Sequence, residues 1–152
     1  MAEKNEMPRE RLTSELLDQL LRAPTPEAYL DEGLTIDRTL PDYLEQLRAA
    51  KGLKRSEIIR ASGINATFVY DVFKGKSRLG RDKAIMLALG MGCSLEETQR
   101  LLRLDDVAEL WPKVRRDAII IWCVKHGYSR IQTDDELYRL GERTLLGTGP
   151  LG

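Results

Sequence analysis

The chain holds one histidine, His126, and two cysteines, Cys93 and Cys123, which narrows the chemistry open to it. Both cysteines lie among apolar residues without CxxC spacing, so buried reduced thiols are expected and a metal site is not. His126 follows an apolar helical stretch, where contact with the helix dipole is its expected role. The paired acids Asp105-Asp106 and Asp134-Asp135 fall near helix ends and read as surface charge. There is no Gly-rich phosphate loop and no nucleophile with a histidine near it in sequence. Neither catalysis nor a cofactor is expected.

What remains is the stretch from Ser56 to Lys76, where the apolar pattern is the informative feature. Ile58, Ile59 and Ala61 follow a helical period, Gly63 cuts it, and Ile64, Val69, Val72 and Phe73 resume it. This is the outline of helix, tight turn, helix. With Ile64, Val69, Val72 and Phe73 inward, the second helix turns Asn65, Ala66, Thr67, Phe68, Tyr70, Asp71 and Lys74 outward. A helix fits the DNA major groove and reaches base edges with its N-terminal residues, so Asn65, Ala66, Thr67 and Tyr70 are the expected readers. Lys54, Arg55, Lys74, Lys76 and Arg78 flank them and are the expected phosphate contacts. The plainer alternative for each is a solvated surface residue. Asp71 would repel phosphate, accept from a cytosine amino group, or pair with a basic neighbour. Phe68 and Tyr70 are large for such a face and fit thymine methyls, sugars or a protein partner.

The elements that position these residues are helical. Of 152 residues, 42% are hydrophobic and 6% aromatic, and few stretches alternate with period two, so the class expected is all-α with one ordinary core. Formal net charge is zero but unevenly spread. Residues 1–39 hold 5 Lys/Arg against 9 Asp/Glu, residues 40–92 hold 10 against 5, and residues 93–152 hold 9 against 10. Positive charge thus gathers where phosphates would be met.

In chain order, Pro8 can open a helix whose Leu12, Leu16, Leu17, Leu20 and Leu21 form one stripe to about Arg22. Thr25-Pro26 caps a short second helix, giving an acidic helical arm over 1–39 that either covers the core or pairs two subunits. Helices are then expected over Leu40–Ala50, Arg55–Ser62, Asn65–Lys74 and Arg81–Met91, and after the capping box Ser94…Glu97.

The stretch from Leu40 to Leu104 resembles the Cro and phage-repressor (XRE) class of helix-turn-helix domains. The resemblance rests on the KGL turn after the first helix, Ala61 and Gly63 at the tight turn, Ile64, Val69 and Val72 as core positions, and Phe73-Lys74-Gly75-Lys76 closing the third helix. It covers about 65 residues. It implies a five-helix repressor-like domain over 40–104 that binds double-stranded DNA as a transcriptional regulator, often as a dimer. Many members open the second helix with Ser-Gln, where this chain has Lys54-Arg55.

The remainder, 105–146, repeats 81–104 in part. At an offset of 35, Arg81-Asp82 aligns with Arg116-Asp117, Gly92 with Gly127, Ser94 with Ser129, Glu97 with Gln132 and Leu102 with Leu137. An extra helical hairpin stacked beside the fourth and fifth helices is expected. Its first helix, Val114–Lys125, is apolar almost all round and calls for cover from the arm or a second subunit, making Ile120 and Trp122 candidates for an oligomer interface. Residues 147–152 read as a flexible tail. The longest apolar run, Ala118–Val124, is too short to span a bilayer, and a cytoplasmic protein without membrane contact is expected. The competing expectation to a DNA-binding regulator is a protein-interaction adaptor, or an antitoxin-like component, using the same scaffold with a protein partner.

Overall fold

The computed structural model describes residues 13–33 and 39–147, and every regular element among them is an α-helix. The chain divides into two units, residues 1–37 and 38–152. The first holds α1 (Thr13–Arg22) and α2 (Pro26–Leu30). Thr25 Oγ1 accepts from the Ala28 amide at 3.1 Å and Pro26 starts α2, as its fixed φ favours. Gln19 Nε2 donates to Glu32 Oε1 at 2.6 Å and ties α1 to the turn after α2. The expected start at Pro8, and Leu12, lie outside the described residues. Leu17, Leu20 and Leu21 are exposed, Leu21 at 73%.

The second unit runs α3 (Leu40–Lys51), α4 (Arg55–Ser62), α5 (Ala66–Phe73), α6 (Arg81–Gly90), α7 (Leu95–Leu104), α8 (Arg115–Lys125) and α9 (Arg130–Arg139). Thr39 Oγ1 caps α3 through the Asp42 amide, and Gly52 ends it at φ +66°. Between those limits Leu40, Tyr43, Leu44 and Leu47 form the i, i+3, i+4, i+7 stripe that enters the core. They meet Ile58, Ile64, Val69 and Val72 around α6, where Ala84 to Ala88 are all buried. A helix with five consecutive buried residues must be covered on several sides, and α4, α7 and α9 all pack on α6.

The α4–α6 contact brings the backbones unusually close. A Cβ at Gly90 would stand 2.8 Å from the Ser62 amide nitrogen and Cβ, so only glycine fits. Ser62 is fully buried there, while its neighbour Ala61, part of the apolar period read at the tight turn, is exposed. The inward stripe of α4 is therefore Ile58 and Ser62, one turn apart, with Ile59 at its edge.

The repeat is deeper in three dimensions than in sequence. Gln99 accepts from the Leu110 amide at 2.8 Å, and Asp134, 35 residues on, accepts from the Leu145 amide at 2.7 Å. Asp106, at φ +63°, corresponds to Gly141 at φ +82°. Arg81 donates to the carbonyls of Ala108 and Glu109, and Arg116 donates to those of Arg143 and Thr144. Between the copies the contacts cross over. Arg81 makes a bidentate pair with Asp117 (3.0 and 2.7 Å), and Arg116 makes one with Asp82 (2.9 and 3.1 Å). Likewise α6 meets α9 while α7 meets α8. Reciprocal contacts of this kind belong to an isologous pair, so the second hairpin lies beside the first about an approximate two-fold axis.

This packing corrects the reading of α8. Ile120 is 0% exposed, inside the core of its own chain, and so cannot form an oligomer interface; α7 and α9 provide the cover. Trp122 is 47% exposed. Its ring stacks on His126 at 3.8 Å and meets Tyr128 edge-on at 5.3 Å. His126 is the C-cap of α8, with Nδ1 2.8 Å from the Trp122 carbonyl oxygen. Thr144 and Leu145 are buried, and residues 148–152 of the expected tail lie outside the described residues. No helix of the described residues is long and apolar enough to cross a membrane.

Candidate nucleic-acid interface

Gly63 ends α4 in the left-handed conformation, φ +78°, which costs glycine nothing and turns the chain within two residues into α5. Inside the turn, Ser62 Oγ accepts from the Ile64 amide at 3.2 Å. Asn65 then caps α5, its Oδ1 accepting from the Phe68 amide at 3.2 Å. Val69 and Val72 are buried and hold α5 on α3, so the opposite face is presented outward.

Of the expected base readers, Asn65, Ala66, Thr67 and Tyr70 are all exposed on that face, Tyr70 at 42%. Asn65 has its carbonyl oxygen committed to the cap, which leaves its amide NH₂ as a donor. Phe68 departs from expectation. It is half-buried against the core, with Lys83 Nζ 5.4 Å from its ring centroid, because position 68 falls one residue before the buried stripe of Val69 and Val72. Asp71 is also half-buried.

The expected phosphate contacts divide into two sets. Lys54, Lys74 and Lys76 are exposed and enter no ion pair among the described residues. Arg55 instead pairs with Glu45 at 2.9 Å and lies 5.1 Å from the Phe73 ring centroid. Glu45 also holds Arg48, and that hydrogen bond, ahead of the charges of Arg48 and Arg55, keeps its carboxyl below the ordinary carboxylate range. Arg78 donates to the Asp105 carbonyl at 2.9 Å and pairs with Asp106 at 3.1 Å. Two of the five cations are thus partly neutralised by carboxylates that lie 10 and 28 residues away in sequence. Lys83, exposed beside Phe68, joins the rim and was not singled out by sequence. Its signal was its place in the first turn of α6, next to the basic loop.

The arrangement offers a convex helix face with hydroxyl and amide donors at its N-terminal end and lysines around it. Such a face can form hydrogen bonds to base edges and neutralise phosphates. Among the described residues no group of three or more His, Cys, Asp or Glu side chains is placed to hold a metal ion. No protein-family model matches the chain, and no curated protein or solved structure matches it.

Proposed function

We propose that the chain is a duplex-DNA-binding transcriptional regulator that lays the N-terminal half of α5 in the major groove, with α3 to α7 forming a repressor-like five-helix domain. The observation that carries this reading is the joint exposure of Asn65, Ala66, Thr67 and Tyr70 on α5, rimmed by exposed Lys54, Lys74 and Lys76, which enter no ion pair among the described residues. The lysines supply affinity and register, and the α5 residues supply discrimination. The chain then acts by occupancy and not by catalysis, in the cytoplasm. A dimer would place two α5 helices on half-sites about 34 Å apart.

Band-shift titration on a selected duplex tests the division of roles. Lys76→Glu should weaken binding to every sequence alike, whereas Thr67→Ala should relax base preference at one position by about tenfold, the value of 1–2 kcal/mol of discrimination. Equal, sequence-blind losses from both would overturn the assignment of readers.

The adaptor or antitoxin-like reading would rest on an exposed aromatic patch with one acid. Tyr70 supports it, but Phe68 is withdrawn beneath Lys83 and Asp71 is half-buried, which leaves little of that patch. Fluorescence anisotropy on a random duplex separates the two. Binding that falls steeply between about 50 and 200 mM salt supports the DNA reading, and no binding at the lower salt supports the adaptor.

A further inference from the structure

The turn that sets the direction of α5 is gripped from two sides. From within the helix-turn-helix, Ser62 is pressed on Gly90 of α6. From the C-terminal hairpin, Arg130, the first residue of α9, lays its guanidinium against Gly63. A Cβ on Gly63 would meet Arg130 Nη2, Nε and Cζ at 3.0, 3.1 and 3.2 Å, so the planar group fills the space that glycine leaves. Arg130 is itself held in place. Its Nη1 donates to Asp134 Oδ2 at 3.0 Å, both side chains are 11% exposed, and Asp134 Oδ1 accepts from the Leu145 amide at 2.7 Å.

Comparison within the repeat shows that this device belongs to the second copy alone. At the offset of 35, Arg130 corresponds to Leu95 and Asp134 to Gln99. Leu95 packs against the core, and Gln99 holds Leu110 by its amide as Asp134 holds Leu145. The shared task of position 99/134 is to fix the loop after the second helix. Carboxylate in place of amide keeps that task and adds the charge that orients Arg130 toward the Gly63 turn.

We infer that Arg130, oriented by Asp134, is a positioning residue through which the C-terminal hairpin fixes the entry angle of α5, and so tunes discrimination between sequences without touching DNA. The consequence for DNA rests on the proposed DNA-reading role of α5; the clamp on the turn does not. Base contacts require donor and acceptor placed within a few tenths of an ångström, whereas phosphate attraction tolerates a looser fit. Loosening the turn therefore affects specific binding more than non-specific binding.

The test uses the full chain, with Arg130→Met to keep the aliphatic stem and remove the guanidinium. Amide hydrogen exchange at Gly63 and Ile64 should accelerate by about tenfold, while the Leu44 and Leu101 amides, deep in α3 and α7, are unchanged. The ratio of selected-duplex to random-duplex affinity should fall by about tenfold, with random-duplex affinity and its salt slope unchanged. Arg130→Lys, which keeps the charge but not the planar fork, should restore only part of the ratio. Unchanged exchange at Gly63 and Ile64 would overturn the clamp. Equal loss on both duplexes with a shallower salt slope would overturn it in favour of direct phosphate contact, and exchange rising uniformly through the unit would show general destabilisation instead. Should Arg130→Met fail to fold, Asp134→Asn releases the guanidinium with less disturbance and is read the same way. If the wild-type chain binds no duplex, the DNA reading fails, and the exchange measurement still decides the clamp.

Discussion

Gly90 and Ser62 carry more of the fold than their size suggests. Since a Cβ at Gly90 would stand 2.8 and 2.9 Å from the backbone N and Cα of Ser62, Gly90→Ala must force α4 and α6 apart. The expected cost is about 2 kcal/mol, in the usual range for overpacking, and urea denaturation of the two chains measures it. Ser62→Ala relieves no crowding and orphans the Ile64 amide in a buried turn, which should cost about 1–2 kcal/mol. Neither residue announced its role. A serine at the end of α4 and a glycine at the end of α6 are ordinary in sequence, and only their meeting, 28 residues apart, makes each indispensable. The base-reading candidates were legible for a local reason. Once Val69 and Val72 are known to be buried, helical geometry turns Thr67 and Tyr70 outward. Phe68 sits at the border of that arc, and packing, not periodicity, drew it inward.

At the scale of elements, the helix ends were readable because caps are local. Thr25, Thr39, Ser94 and Ser129 each accept from an amide three residues on. The joining of α6 to α8 was not readable, since Arg81, Asp82, Arg116 and Asp117 look like four surface charges until the crossed pairs are seen. Asp82 is the titratable point of that joint. Burial works to raise its carboxyl, but the hydrogen bonds and charges of Arg116 and then Arg143 outweigh it and hold Asp82 below the ordinary aspartate range. A depressed native value means that the stabilisation is fully present above the unfolded value of about 3.9 and is lost as pH falls through the native one. Asp82→Asn should therefore cost about 2 kcal/mol at pH 7 and progressively less as the pH is lowered below about 4. Urea midpoints of both chains across that range test this, and a gap that stays constant with pH would sink the assignment.

At the scale of the whole molecule, the two thiols report on global opening. Cys93 and Cys123 are both free and buried; burial pushes the Cys93 thiol up to about 12 and raises Cys123. Only the thiolate is reactive, so neither should modify with a disulfide reagent at pH 7–8 in the folded chain, and both should modify once denaturant unfolds the second unit. One fast-reacting thiol under native conditions would mean that a hairpin opens independently. The sequence by itself determined the helical class, the bounds of α3 to α6 to within one residue, the turn at Gly63 and the outward placement of Asn65, Ala66, Thr67 and Tyr70. Each of these depends on contacts within about one helical turn, which neighbouring residues encode directly. Only the tertiary structure decided that Ile120 is core, that Arg55 and Arg78 are partnered by distant carboxylates, that the two hairpins pair about a two-fold axis, and that Arg130 closes on Gly63. Those facts rest on residues 10 to 67 positions apart, where the partner is chosen by how whole helices pack and no local pattern names it.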